Sequence, residues 1–96
     1  MATPEGKIQK FLRGEFTKRG ALVRKIAYEG VRGCPDLLVA YRGQIHLVEV
    51  KKAENVLPDD HQLREHERLL KRQIKVYTIG SERQALALVA LICGTD

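Results

Sequence analysis

Apolar residues recur at helical spacing near the start of the chain. Ile8, Phe11, Leu12 and Phe16 fall on one face of a 3.6-residue period. Thr3 stands before them as an N-cap, Pro4 suits the first helical position, and Gly20 is a stop. The pattern then changes period. Residues 21–28 (ALVRKIAY) predict a strand, and residues 30–35 (GVRGCP) a loop, with Pro35 biasing Cys34 towards extended backbone. Residues 36–41 (DLLVAY) and 44–51 (QIHLVEVK) are two β-rich runs around Arg42-Gly43, which predicts a hairpin with a two-residue turn. Leu37, Leu38, Val39, Leu47, Val48 and Val50 make both faces of that hairpin apolar, as in a sheet covered on both sides.

After a loop over 52–58, Asp59 caps a second predicted helix that runs to about Arg72. Its apolar face is thin: Leu63, Leu69 and Leu70, with Gln62 and His66 on the same stripe. Gln62 either completes a capping box with Asp59 or reaches into a site. Arg64, Arg68, Lys71 and Lys75 follow at spacings of four, three and four on the other face. They form either a stripe that tracks a phosphate backbone or a solvated face shared with Glu65 and Glu67. Residues 74–79 (IKVYTI) predict a further strand, and Ser81-Glu82-Arg83-Gln84 the capped start of a last helix. Residues 85–92 are apolar almost all round, which implies burial on more than one side; Leu86, Leu88 and Val89 would also suit a strand. The order α-β-β-β-α-β-α predicts one α/β domain over residues 1–96, with a mixed central sheet flanked by helices.

Composition narrows the partners. Lys and Arg number 17 against 12 Asp and Glu, a net charge of +5, which favours a polyanion, nucleic acid first. Cys34 and Cys93 match no metal or redox spacing and read as thiols of a cytoplasmic protein. No run is long and apolar enough for a membrane span, and no secretory leader is evident. A domain this small gains stability by oligomerising. A two-fold homodimer is therefore expected, with the apolar segment 81–92 a leading candidate for its interface.

Candidate chemistry sits on the hairpin. With a two-residue turn, cross-strand partners have numbers that sum to 85, so Asp36 opposes Glu49. Lys51 shares the face of Glu49 because side chains alternate along a strand. Like charges opposed in a sheet repel. A divalent cation between them offsets that repulsion, and hard oxygen donors suit Mg²⁺ or Mn²⁺. Lys51 then faces a substrate water or phosphate, the layout of a metal-dependent phosphodiesterase. A second Glu-x-Lys at Glu5-Gly6-Lys7 lies on the first helix, where residues two apart do not share a face. Glu5 is either a partner of the helix dipole or a site residue. The spacing of His61, Glu65 and His66 fits no zinc motif, so they read as polar helix residues. His46 falls on the face opposite Asp36 and Glu49.

Together Gly33-Cys34-Pro35-Asp36-Leu37, Glu49-Val50-Lys51 and Gln62 resemble the PD-(D/E)xK nuclease pattern, and within it the VRR-NUC domain, over nearly the whole chain. The resemblance implies a restriction-endonuclease-like core, with Asp36, Glu49 and the Val50 carbonyl as metal ligands. Glu5 would reach the metal directly or through water. Lys51 would act on the attacking water and the phosphorane charge, and Gln62 would bond into the site. Lys7, Lys10, Arg32, Arg64, Arg68 and Lys71 would hold DNA. Stand-alone viral and bacterial members are implied to be Mg²⁺-dependent homodimeric endonucleases on branched DNA, including Holliday junctions, in phage or bacterial replication and repair. The alternatives are a monomeric flap or nick nuclease and a catalytically silent nucleic-acid-binding module. The stretch Leu57-Pro58-Asp59-Asp60-His61 departs from the family, which more often has Ser or Thr and small residues there.

Overall fold

In the computed structural model, which describes residues 3–94, the elements follow the expected order: α1 (Pro4–Lys18), β1 (Leu22–Lys25), β2 (Leu37–Tyr41), β3 (Gln44–Val50), α2 (Asp60–Leu70), β4 (Val76–Ile79) and α3 (Glu82–Cys93). Local chemistry sets their starts. The Thr3 hydroxyl accepts from the Gly6 N–H at 3.0 Å, with Pro4 just inside the helix. Asp59 and Ser81 cap α2 and α3 in the same way. Segment 85–92 is helix.

The strands lie in the order β1-β2-β3-β4. The first three run antiparallel, and α2 carries the chain over so that β4 runs parallel to β3. Arg42 and Gly43 both take positive φ, 46° and 81°, as a type I′ turn requires. The register is the one that turn imposes: Leu37 opposes Val48 and Tyr41 opposes Gln44.

One face of the sheet is closed. Val23, Leu37, Val39, Val48, Val50 and Ile79 form a core with Ile8, Leu12 and Phe16 of α1 and Ala85, Leu88 and Val89 of α3. The other face is not closed throughout, which corrects the expectation of a sheet covered on both sides. Leu38 and Leu47 are half-buried, and Leu22 and Ile45 are exposed. Only the end holding Glu49 lies under α2, through Gln62 and His66.

Two expected boundaries shift. β1 ends at Lys25, although the Ile26 N–H still pairs with the Asp36 carbonyl at 3.0 Å. α2 stops at Leu70, and Gln73 takes a φ of 65° before β4. Lys75 is therefore not part of the helical basic stripe; its ammonium lies over the Tyr77 ring. The apolar side of α3 is consumed within the chain through Ala85, Leu88 and Val89, which leaves only Leu86 and Leu91 exposed among its large apolar residues.

Candidate active site

The Asp36 backbone extends the β2–β3 ladder by one step: its N–H donates to the Val48 carbonyl at 3.0 Å. The row after Leu37 and Val48 therefore contains Asp36 and Glu49. One Asp36 carboxylate oxygen accepts the Val50 N–H at 2.8 Å, which fixes the side chain against β3. Pro35 is buried behind it. Two residues earlier, Gly33 has a φ of 97°, and a Cβ there would overlap the His61 carbonyl. The loop thus reaches the backbone of α2 only because residue 33 has no side chain.

Glu49 is fully buried. Its carboxylate accepts from Gln62 Nε2 at 2.9 Å and lies 3.3 Å from His66 Nε2. Burial first, and the Asp36 charge second, push its pKa up to about 8; Lys51 opposes the rise. Burial also holds the His66 imidazole below its ordinary value, with Lys51 adding to that. A largely neutral imidazole beside a protonated carboxyl is a hydrogen-bonded pair rather than an ion pair.

Gln62 resolves the choice between cap and site, because it is both. Its side-chain oxygen accepts from the Asp59 N–H at 2.9 Å, while Asp59 Oδ1 accepts from the Gln62 N–H at 2.9 Å, a complete capping box. The same oxygen accepts from Lys51 Nζ at 2.6 Å, and its NH₂ donates to Glu49. These partners leave one orientation for the amide, with oxygen towards the two donors and nitrogen towards the carboxylate. The departure from the family around residues 57–61 does not displace Gln62.

Of the residues singled out in the sequence, Asp36, Glu49, Val50, Lys51 and Gln62 come together. Glu5 is exposed in the first turn of α1. Among the described residues no group of three or more His, Cys, Asp and Glu side chains is placed to hold a metal, so Glu5 does not complete a direct ligand set with Asp36 and Glu49. Lys7 and Lys10 are exposed on α1. Arg32, Arg64 and Arg68 gather at one cavity, and Lys71 lies 3.7 Å from Glu67. His46 is on the far face beside Tyr77, and both cysteines are free thiols. Sequence reasoning missed His66, although its spacing of four from Gln62 places both on one side of α2. It also missed Glu65. Far from solvated, Glu65 is 9% exposed and accepts from the Tyr28 hydroxyl at 2.7 Å and from Arg68 at 3.1 Å. No local signal links Tyr28 to a residue 37 positions away.

Two carboxylates with a backbone carbonyl are a sparse donor set, of the kind Mg²⁺ accepts while keeping several waters. Glu49 fits a cation on its own evidence. It is a buried acid next to another acid, and its other close partners are a neutral amide and an imidazole held below its ordinary pKa.

The chain matches no protein-family model. It is 39% identical over 88 residues to a protein of Acyrthosiphon pisum secondary endosymbiont phage 1 named "Putative nuclease p44", spanning 91% of this chain and 94% of that one. It also resembles a solved structure described as a VRR_NUC domain. That structure is 54% identical, has a TM-score of 0.88, and is matched over 92% of this chain and 96% of its own. With Asp36 and Glu49 opposed and Lys51 and Gln62 joined to them on this shared framework, the chain belongs to the VRR-NUC nuclease-domain family.

Proposed function

We propose that this protein is a Mg²⁺-dependent endodeoxyribonuclease that cuts phosphodiester bonds in branched DNA, four-way junctions among them, as a homodimer. The observation that carries the reading is the chain of contacts from Glu49 through Gln62 to Lys51. A module that only binds nucleic acid has no use for two opposed carboxylates, one of them fully buried. Asp36, Glu49 and the Val50 carbonyl would hold the cation, with Glu5 reaching it through water. A bound Mg²⁺ would polarise the phosphoryl oxygens and acidify a water. The protein supplies the rest. Gln62 fixes the Lys51 ammonium at one place beside the carboxylates, so its charge meets the developing phosphorane without reorganising. His66 orients the Glu49 carboxyl from the other side. Lys7, Lys10, Arg32, Arg64, Arg68 and Lys71 supply positive charge for the strands. The phage relative supports a site of action inside an infected bacterial cell.

The test is to incubate the purified protein with four-way, flap, nicked and linear DNAs, with and without Mg²⁺. Mg²⁺-dependent cutting of branched forms is expected. Metal-independent cutting, or none on any substrate, refutes the reading.

A further inference from the structure

Outside the carboxylate site, one cavity of about 300 Å³ is lined by Gly30, Val31, Arg32, His61, Arg64 and Arg68. Three arginines line it. Arg68 is paired with Glu65, which is also engaged by Tyr28. Arg32 and Arg64 have no acidic partner among the described residues; Arg32 Nη1 lies 3.2 Å from His61 Nε2, a nitrogen that can only accept from it. Like charges gathered around a hollow repel unless an anion joins them. Planar guanidinium forks are the groups best matched to phosphate oxygens.

We propose that this cavity is a subsite for one phosphate group of a nucleic-acid strand, separate from the phosphate that is cut. The substrate class rests on the nuclease reading; the anion site rests on the cavity alone. Position supports a role in placing the strand. His61, Arg64 and Arg68 lie about 100–160° around α2 from the Gln62–His66 stripe, taking about 100° per residue. Glu65 stands between the two stripes: it accepts from Arg68, and the next residue, His66, reaches Glu49. A helix with its side chains is about 10–12 Å across. With the body of that helix between them, a phosphate in the cavity is a different one from the phosphate at the bond cut beside Glu49. The subsite would thus set how far the cut falls from a held phosphate.

Two measurements test this. In the first, amide shifts of the ¹⁵N-labelled protein are followed as inorganic phosphate is added without Mg²⁺. Saturable shifts at residues 30–32 and 61–68, lost in Arg32→Ala/Arg64→Ala, are expected. Both side chains are exposed, so the fold should hold, and the unchanged remainder of the spectrum verifies that. In the second, DNA affinity is measured against salt without Mg²⁺. The slope should fall by about one in the double variant. It should stay as in the parent for Lys75→Gln, a charge removed at the opposite end of β3 and β4. Comparing 5′-phosphorylated with 5′-hydroxyl strands separates the sources. Equal affinity assigns the cavity to an internal phosphate, and a preference lost in the double variant assigns it to a strand end. Absence of phosphate shifts at the cavity overturns the proposal, as does an unchanged salt slope. A protein that binds phosphate here yet cuts no DNA retains the subsite and loses the nuclease reading.

Discussion

At neutral pH and without a cation, the Glu49 carboxyl holds a proton, because burial and the opposed Asp36 raise its pKa from 4.5 to about 8. The unfolded chain, with an ordinary carboxylate, has already released that proton. Native protein therefore binds more protons between these two values, and stability falls as pH rises through them. Thermal melts of metal-free protein should drop in Tm between pH 5 and pH 8, and Glu49→Gln should flatten that drop. A cation at the same carboxylate needs the ionised form. Mg²⁺ binding at pH 7 should then release protons, with an apparent affinity that climbs as pH approaches 8; calorimetry in buffers of different ionisation enthalpy reads this directly. An affinity independent of pH would remove Glu49 from the ligand set. At Lys51 and Asp36 the expected loss is in rate rather than affinity. Lys51→Ala or Asp36→Asn should lower cleavage by about 10²–10³, the usual cost of one transition-state group, while DNA binding stays close to the parent's. Full activity of Lys51→Ala in Mg²⁺ would defeat the assignment.

Between elements, Gln62 separates what holds a helix from what serves a site. Gln62→Glu keeps an acceptor for the Asp59 N–H and for Lys51 but has no donor for Glu49, so helix content should persist while cleavage falls. Gln62→Ala loses both; the Asp59 cap on the backbone N–H of residue 62 remains, and losing the reciprocal bond to the Asp59 N–H adds a stability cost of about 0.5–1.5 kcal/mol. If Gln62→Glu cuts DNA as well as the parent, the bond from Gln62 to Glu49 does not matter. Gly33→Ala asks about the loop. A methyl group meets the His61 carbonyl and forces a left-handed φ on alanine, so the 30–35 loop should lift from α2, with a loss of about 1–3 kcal/mol and of activity through the displaced Asp36. Unchanged stability would show that the loop has room to spare. The same elements mark what the sequence could reveal. Caps and the hairpin register were legible because each depends on neighbours within a few residues: Thr3 on Gly6, Asp59 on Gln62, and Arg42-Gly43 on the strands it joins. Asp36 and Glu49 were placed by that register alone. Glu65 and His66 were not legible, since their burial depends on Tyr28 and Glu49, which only the folded sheet brings to α2. β1 was overestimated for a related reason. Tyr28 has β propensity, but its hydroxyl reaches Glu65, and the chain turns away before the strand runs its expected length.

For the whole molecule, apolar surface is unevenly spent. α3 was expected to supply a dimer interface because its residues looked too numerous for one small sheet to cover. Instead α1 packs along it, and the core closes with Ala85, Leu88 and Val89 inside. Apolar surface remains exposed at Leu86 and Leu91 of α3 and, as a continuous patch, on the open face of the sheet. There Leu22, Ala40 and Ile45 form one cross-strand row, and Arg24, Leu38, Leu47 and Val76 form the next, leading to the row of Asp36 and Glu49. Ile45 is 63% exposed and Leu22 49%. An exposed apolar face rimmed by charge marks an interaction surface, and an isologous dimer buries it against itself. Sedimentation at micromolar concentration should give a dimer. Ile45→Lys should shift the protein towards monomer without unfolding it, because that side chain makes no core contact, whereas Leu91→Lys on α3 should not. A parent that sediments as a monomer refutes the dimer, and dissociation by Leu91→Lys alone returns the interface to α3. Symmetry ties this arrangement to the chemistry. The proposed two-fold dimer, on a two-fold four-way junction, would bring one Asp36–Glu49 pair to each of two opposed strands. Mixed dimers with one Lys51→Ala subunit should then nick one strand and leave the other. If they cut both strands as well as the parent, each site is not committed to its own strand, and the dimer serves stability rather than paired cleavage.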